Sequence, residues 1–570
     1  MRLLLPCLLS AVLAAGLAPT ARSEEPMLSI EQVEALPHGT AAYGFSTLDP
    51  SGPTRLKGRL LGVMRNTIGP GHSWIAVQLV NKAVIASGQS GSPMYVDMKG
   101  KRHKIGTLSY ADYWARNPIC YLTPIREVLN VHADPSAIIK MPVVTRPGVS
   151  MLSTLRATLP EGDPFLMMLN EGASSGVTVK GTPHPVTAGD VLGVQLAWGD
   201  FDLTSYGTVS HVEGKNVFMF GHPFMQLGPA EYRLVSMKVL TVQESFRNSY
   251  IVAAPIADAE PLGVILQDRE TAIYGELGRK AENAIPVHID LTTSSGVRKQ
   301  FTFYSIADPT LAPRIIGSGV STAVQAWSRE IGDMTLFLNG KIEVEGVGDV
   351  EFSDSFTSVR GNGPFDSNPM TVLARKVDSV LSNRFSKARI KQVSVETKVF
   401  DEYRRLSIES ASIDRPSFKP GETLTLRVAL NQPLKDTKMI SLSFLLPSDL
   451  QYGVGKIVVG DAETIDAVEK SSGSVVNLIS LVESLNAKRR PDAVYIYVVL
   501  PPSKMGPASS VESVPLNIGD IAGEVRKTSS RLQSNVEEYQ VVVGDFQVSG
   551  RKEIEFKVGV SAGEKPPNHP

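Results

Sequence analysis

The stretch with most chemical promise is Ser87-Gly88-Gln89-Ser90-Gly91-Ser92-Pro93, a glycine- and serine-rich break between apolar runs. Trp74–Val80 and Ala83–Ala86 precede it, Met94–Val96 and Ile105–Tyr110 follow it, and all read as strands. A strand that breaks into glycines around a serine can lift that hydroxyl clear of its neighbours on a sharp bend. Gly88 and Gly91 open backbone angles that other residues avoid and leave room for a substrate beside the main chain. The amides of Gly88, Gln89 and Ser90 would then converge on one point, as stabilisation of an oxyanion requires. Serine is a weak nucleophile and needs a base within hydrogen-bond reach. Of the nine histidines, His222 is the best placed, bracketed by Gly221 and Pro223 at the end of the apolar strand Asn216–Phe220. His72, beside Gly71 and nearer to Ser90 in sequence, is the reserve. His211 falls mid-strand and His103 near a hairpin tip. The chemistry expected is acyl transfer, with Ser90 as nucleophile and His222 as general base.

Other chemistries find no foothold in the sequence. There is no HExxH, no CxxC pair, no calcium-loop pattern, and no phosphate- or dinucleotide-binding glycine motif, so neither a metal nor a cofactor is expected. With 57 basic and 58 acidic residues the net charge is -1, which gives no reason to expect a nucleic-acid or anionic-membrane partner. The basic run Lys99–Lys104 lies between two strand-like segments and reads as a solvated hairpin tip.

The elements that must carry these residues are mostly strands. At 570 residues the chain exceeds what one core can hold, so several domains are expected. Met1-Arg2, the apolar run Leu3–Leu17 and the small residues Ala21 and Ser23 read as a secretory signal peptide over 1–23, giving a periplasmic or secreted protein. No later apolar run reaches membrane-spanning length. Once the leader is removed Cys120 stands alone, so no disulfide framework is expected and Cys120 reads as a buried structural thiol. Residues 24 to about 55 read as the first strands of a barrel, and the first unit, 24–132, closes with a short helix over Thr123–Leu129. A linker over 133–174 follows, then a second strand-rich unit over 175–310 in which Gly199–Asp202 is a turn and Gly207–Phe220 a hairpin. An α+β connecting region over 311–400 carries a helical stripe at Leu373, Val377, Val380 and Leu381. The region 401–570 alternates at Leu424, Leu426, Val428 and Leu430, the pattern of a β-sandwich, with a further helix at Leu478, Leu481, Val482 and Leu485.

Two separated motifs carry a family resemblance. Gly88-Gln-Ser-Gly-Ser-Pro93, the apolar hairpin after it and Thr123-Pro124-Ile125 resemble the nucleophile segment of the SpoIVB-type serine peptidases, whose pattern is Gly-Met-Ser-Gly-Ser-Pro followed by a strand and a short helix. Gly199-Asp200, Gly207-Thr208-Val209 and Phe220-Gly-His-Pro-Phe224 resemble that family's histidine segment, and Gly263–Arg269 and Gly275–Leu277 its following strands. The resemblance covers nearly the whole chain after the leader and is strongest over 57–129 and 190–278. It implies a mainly β fold, a permuted chymotrypsin-like double β-barrel followed by a C-terminal β-sandwich-like region with a few helices. It also implies Ser90 as nucleophile, His222 as base, amides of Gly88 and Ser90 as oxyanion donors, and a protein or peptide substrate. Serine precedes histidine here, which a permuted chain allows because a triad is defined by geometry. The sequence departs from the family pattern in three places: Gln89 stands for methionine, no PDZ segment is recognisable, and 74–87 holds no acid, with Ser73 near where related exported members carry aspartate. Asp200 and Asp202, shortly before the histidine hairpin, are the substitutes expected for the third position. The alternative expected from the missing acid and the chemistry-poor half over 311–570 is an inactive pseudopeptidase that binds envelope proteins.

Overall fold

The structure is a computed structural model that describes residues 25–69, 72–80, 85–111, 118–131, 173–174, 178–244, 249–325, 332–358, 369–433, 435–468, 475–502, 525–528 and 536–559. The leader expected over 1–23 and all but the last two residues of the expected linker lie outside these. The protein is mainly β.

The first unit contains β1 (Ala41–Asp49), β2 (Gly52–Gly69), β3 (His72–Leu79), β4 (Ala86–Ser87), β5 (Pro93–Met98), β6 (Lys101–Ala111) and β7 (Ile119–Pro124). All but β4 close into a barrel in the order β1-β2-β3-β7-β6-β5. Alternation explains the closure: along β3 Ser73, Ile75, Val77 and Leu79 are buried, and three of them meet Met94, Val96, Ile105, Cys120 and Leu122 in one core. Burial pushes the Cys120 thiol up to about 12, consistent with an inert packing residue. The stretch before β1 is not all strand. Ser29 caps the helix Ile30–Glu34 through a reciprocal box with Gln32, and Val33 is buried beneath it.

The second unit contains β8 (Ala173–Ser174), β9 (Val191–Gly199), β10 (Leu203–Glu213), β11 (Asn216–Met219), β12 (Gly228–Gln243), β13 (Ser249–Pro255), β14 (Gly263–Arg269) and β15 (Ala272–Leu277). The pairings run β9-β10-β11-β15-β14-β12 and return from β12 to β9, so six strands close on themselves. β8 adds to β10, so the end of the expected linker is strand. β4 leaves the first barrel and pairs in parallel with β13. The chain therefore crosses to the second unit at Ala86, makes the serine turn, and re-enters the first barrel at Pro93.

The sheet of the second unit does not stop at 310. Strand Arg298–Ile306 pairs with β9, and through Ala284–Thr293 the sheet continues to Ile390–Phe400, Met334–Val344 and Gly348–Ser358. Helices Ala312–Gln325 and Pro369–Leu381 pack on it, burying Ile315, Ile316, Leu373, Val377 and Val380 in the same core. Helix Leu478–Asn486 joins that core too, with Asn486 exchanging hydrogen bonds with Asp349 and Glu351 at 2.8 Å, although its sequence lies within the C-terminal region. The rest of that region forms two sheets whose inner faces share one core, including Leu424, Leu426, Val428 and Leu430 from one and Ile457, Val494, Ile496 and Phe556 from the other.

Candidate active site

Ser90 is the one residue from Ser87 to Pro93 that is not buried. Gly88 and Gly91 both hold φ of +96°. At Gly91 glycine is obligatory, since a Cβ there would lie 1.9 Å from the Thr208 carbonyl oxygen and 2.7 Å from the Phe220 nitrogen. On the first-barrel side the Gly91 N–H donates to the Leu108 carbonyl at 2.7 Å, and the Leu108 N–H to the Ser92 carbonyl at 2.9 Å. On the other side Thr208 of β10 holds the turn twice: its N–H donates to the Ser90 carbonyl at 2.8 Å and its Oγ1 to the Gly88 carbonyl at 2.9 Å. Inside the turn Gln89 Oε1 accepts from the Ala86 N–H at 2.8 Å, a bond that a methionine thioether would make only weakly. Of the three amides expected to face an oxyanion, that of Gln89 is committed to the Ala86 carbonyl at 3.2 Å.

The histidine corner is built in the complementary way. β11 ends at Met219, and Phe220 and Gly221 follow at φ of +72° and +70°, which turns the chain sharply before His222. A left-handed phenylalanine costs roughly 1–2 kcal/mol and persists only where its surroundings fix it. Here they do: the Phe220 N–H donates to the Thr208 carbonyl at 3.3 Å, and the Gly221 carbonyl accepts from Ser109 Oγ at 2.7 Å and Thr123 Oγ1 at 2.6 Å. A Cβ on Gly221 would lie 2.4 Å from Thr107 Oγ1. The second unit thus grips the serine turn, while the first barrel grips the histidine corner. The His222 ring lies beside Tyr110 and Phe220, at centroid separations of 5.6 and 5.7 Å, and its Nδ1 is 2.7 Å from the Pro223 carbonyl. A carbonyl can only accept, so this contact favours the tautomer with Nδ1 protonated and leaves Nε2 as the basic nitrogen. Past the corner, the buried Asp268 carboxylate accepts the N–H groups of Phe224 at 2.8 Å and Met225 at 2.7 Å. Burial pushes Asp268 up, against the opposing pull of those amides.

The two aspartates expected behind the histidine are engaged elsewhere, one with the strand Arg298–Ile306 and the other with β9 and β10. Asp200 Oδ2 accepts from the Thr302 N–H at 2.7 Å. Asp202 accepts from Gln195 Nε2 at 2.6 Å and Thr204 Oγ1 at 2.8 Å, and burial raises its pKa. Among the described residues, the hydrogen bonds of these carboxylates go to Thr302, Gln195 and Thr204, and none goes to the His222 imidazole.

Two other carboxylates bear on the candidate histidines. His72 Nδ1 lies 3.4 Å from Glu127 Oε2, an ion-pair contact off the hydrogen-bond axis, and the Ser73 N–H donates to Glu127 Oε1 at 3.2 Å. The Glu127 contact raises His72 above the ordinary imidazole value despite its burial. Glu270, half-buried in the turn between β14 and β15, accepts from Gln226 Nε2 at 2.6 Å, and burial pushes it up. Sequence reasoning gave no role to Thr208, Asp268, Ser109 or Thr123. The first two stand in the segments Gly207–Val209 and Gly263–Arg269, but their roles are tertiary contacts that no spacing encodes.

Comparisons with family models, with curated proteins and with solved structures all found no match. Among the described residues no helix is long and apolar enough to cross a membrane, and no group of His, Cys, Asp and Glu could hold a metal ion.

Proposed function

We propose that this chain is an exported serine endopeptidase of the SpoIVB type, a permuted chymotrypsin-like double barrel acting by acyl-enzyme formation at Ser90. The observation that supports this reading is the reciprocal grip on two loops: Thr208 bonds the Ser90 and Gly88 carbonyls and also the Phe220 amide that precedes His222. Ser90 Oγ attacks the scissile carbonyl of a peptide while His222 Nε2 takes the hydroxyl proton. The amides of Gly88 and Ser90 receive the developing oxyanion. Collapse expels the amine, which leaves with the proton from His222, and a water then releases the acyl group by the same steps in reverse. Self-processing is one use of such a site.

Purified mature protein incubated with a diverse peptide library, with cleavage read by mass spectrometry, tests the reading. Cleavage is expected for the wild type and should drop by a factor of 10³ or more, roughly, in Ser90→Ala and His222→Ala. Equal cleavage by Ser90→Ala would refute it. One observation favours the alternative, a catalytically inactive scaffold that binds envelope proteins: the His222 Nδ1 contact is a main-chain carbonyl, where an active triad has a carboxylate.

A further inference from the structure

The question left by Asp200 and Asp202 is which carboxylate serves the His222 imidazole, and Glu270 sits where it can. Asp268, two residues before it, holds the main chain of the loop just past His222, at Phe224 and Met225. Gln226, on that same loop, donates to Glu270 Oε2 at 2.6 Å. On its other side Thr271 Oγ1 donates to the Glu127 carbonyl at 3.0 Å, and Glu127 pairs with His72 at 3.4 Å. Glu270 is thereby bracketed between the loop that carries His222 and the helix Ile125–Asn130 that carries Glu127.

We propose that Glu270 is a positioning residue and the shared charge partner of His222 and His72, standing in for the orienting acid that neither Asp200 nor Asp202 supplies. This rests on the reading of His222 as the general base. When the base takes the Ser90 proton it becomes an imidazolium, and a half-buried carboxylate nearby stabilises that cation without touching Nδ1. The charged groups gathered around this loop come from five elements: His72 from β3, Glu127 from the helix Ile125–Asn130, Asp268 from β14, Glu270 from the β14–β15 turn and His222 from the corner after β11. The charges of both imidazoles act on Glu270, and its charge acts back on His72. His72 has Glu127 as its nearer partner and Glu270 as its second.

Ring titration of the full chain with labelled histidine, followed by NMR, decides this without any need for turnover. Glu270→Gln keeps an acceptor for Gln226 and removes the charge. The apparent pKa of His72 is expected to fall, because the Glu270 charge supports its protonated form. Glu127→Gln should lower His72 further, since that carboxylate is its nearer partner, and Glu270→Asp should recover part of the shift that Glu270→Gln causes. An unchanged His72 titration in Glu270→Gln overturns the proposal, whether or not the protein cleaves peptides. Where cleavage is measured, Glu270→Gln is expected to lower kcat about tenfold with KM little changed, and a wild-type kcat overturns its part at His222. A wild type that cleaves nothing refutes the peptidase reading alone, since the titrations stand apart from it.

Discussion

At the scale of single residues the site is a matter of a few obligatory atoms. Thr208 is the most informative of them, because one residue bonds both the serine turn and the histidine corner. Thr208→Val keeps the shape and deletes only the Oγ1 bond to Gly88. It should cost about 1 kcal/mol in stability and lower kcat about tenfold, while Thr208→Ser stays near wild type. Denaturant unfolding and peptide-cleavage kinetics on both variants check this; a valine variant as active as wild type would remove Thr208 from the account. The two sharp corners that carry Ser90 and His222 were legible in sequence, because glycine and proline brackets mark special backbone positions. The carboxylates around them were not, because sequence adjacency to a histidine says nothing about which acid a fold of two strand rings brings near it.

At the scale of elements the unexpected feature is the N-terminal segment. The Lys99–Lys104 run reads as a solvated tip, and Lys99 and Gly100 are indeed exposed at the turn, but Lys104 is completely buried. Its ammonium reaches Glu25 Oε2 at 2.9 Å, the Ser210 carbonyl at 3.3 Å and His211 Nδ1 at 3.2 Å. Main-chain bonds from Lys104 to Pro26 and from Leu28 to Lys104 seat the segment beside β6. Lys104 therefore staples β6 to β10, the two strands whose Leu108 and Thr208 hold the serine turn, with Glu25 as its counter-charge. Glu25→Gln would leave a buried cation without its anion and is expected to cost roughly 3–5 kcal/mol. Urea unfolding checks it, and the double variant with Lys104→Met should regain most of the loss.

The same cluster sets an acid limit. Desolvation and the Lys104 ammonium hold His211 down at about 4, below its unfolded value of 6.5. The unfolded chain thus binds the extra proton between those values, so this contribution to stability is complete above pH 6.5 and is lost as pH falls toward 4. Thermal midpoints measured from pH 7 to 4 should fall more steeply in the wild type than in His211→Phe. Parallel slopes would show that His211 carries none of the effect.

At the scale of the whole molecule the β content and the alternation of the C-terminal strands were plain in the sequence, since period-two burial follows from the pleat. The continuity of the sheet past residue 310 was not, because no local pattern reveals that Phe303 pairs with Gly199. Nor was the docking of Leu478–Asn486 against Gly348–Ser358, a contact between segments more than a hundred positions apart. What the large architecture achieves near the serine turn is simpler: each of two closed strand rings completes a loop of the other. That arrangement is what the peptidase proposal asks of the fold.

The most direct measurement is intact-mass analysis after exposure of the folded protein to a fluorophosphonate, with the modified peptide sequenced. The account predicts one phosphonyl group per chain, attached to Ser90, absent in Ser90→Ala and strongly slowed in His222→Ala. No adduct on the folded wild type, or an adduct on another residue with Ser90 intact, would contradict it.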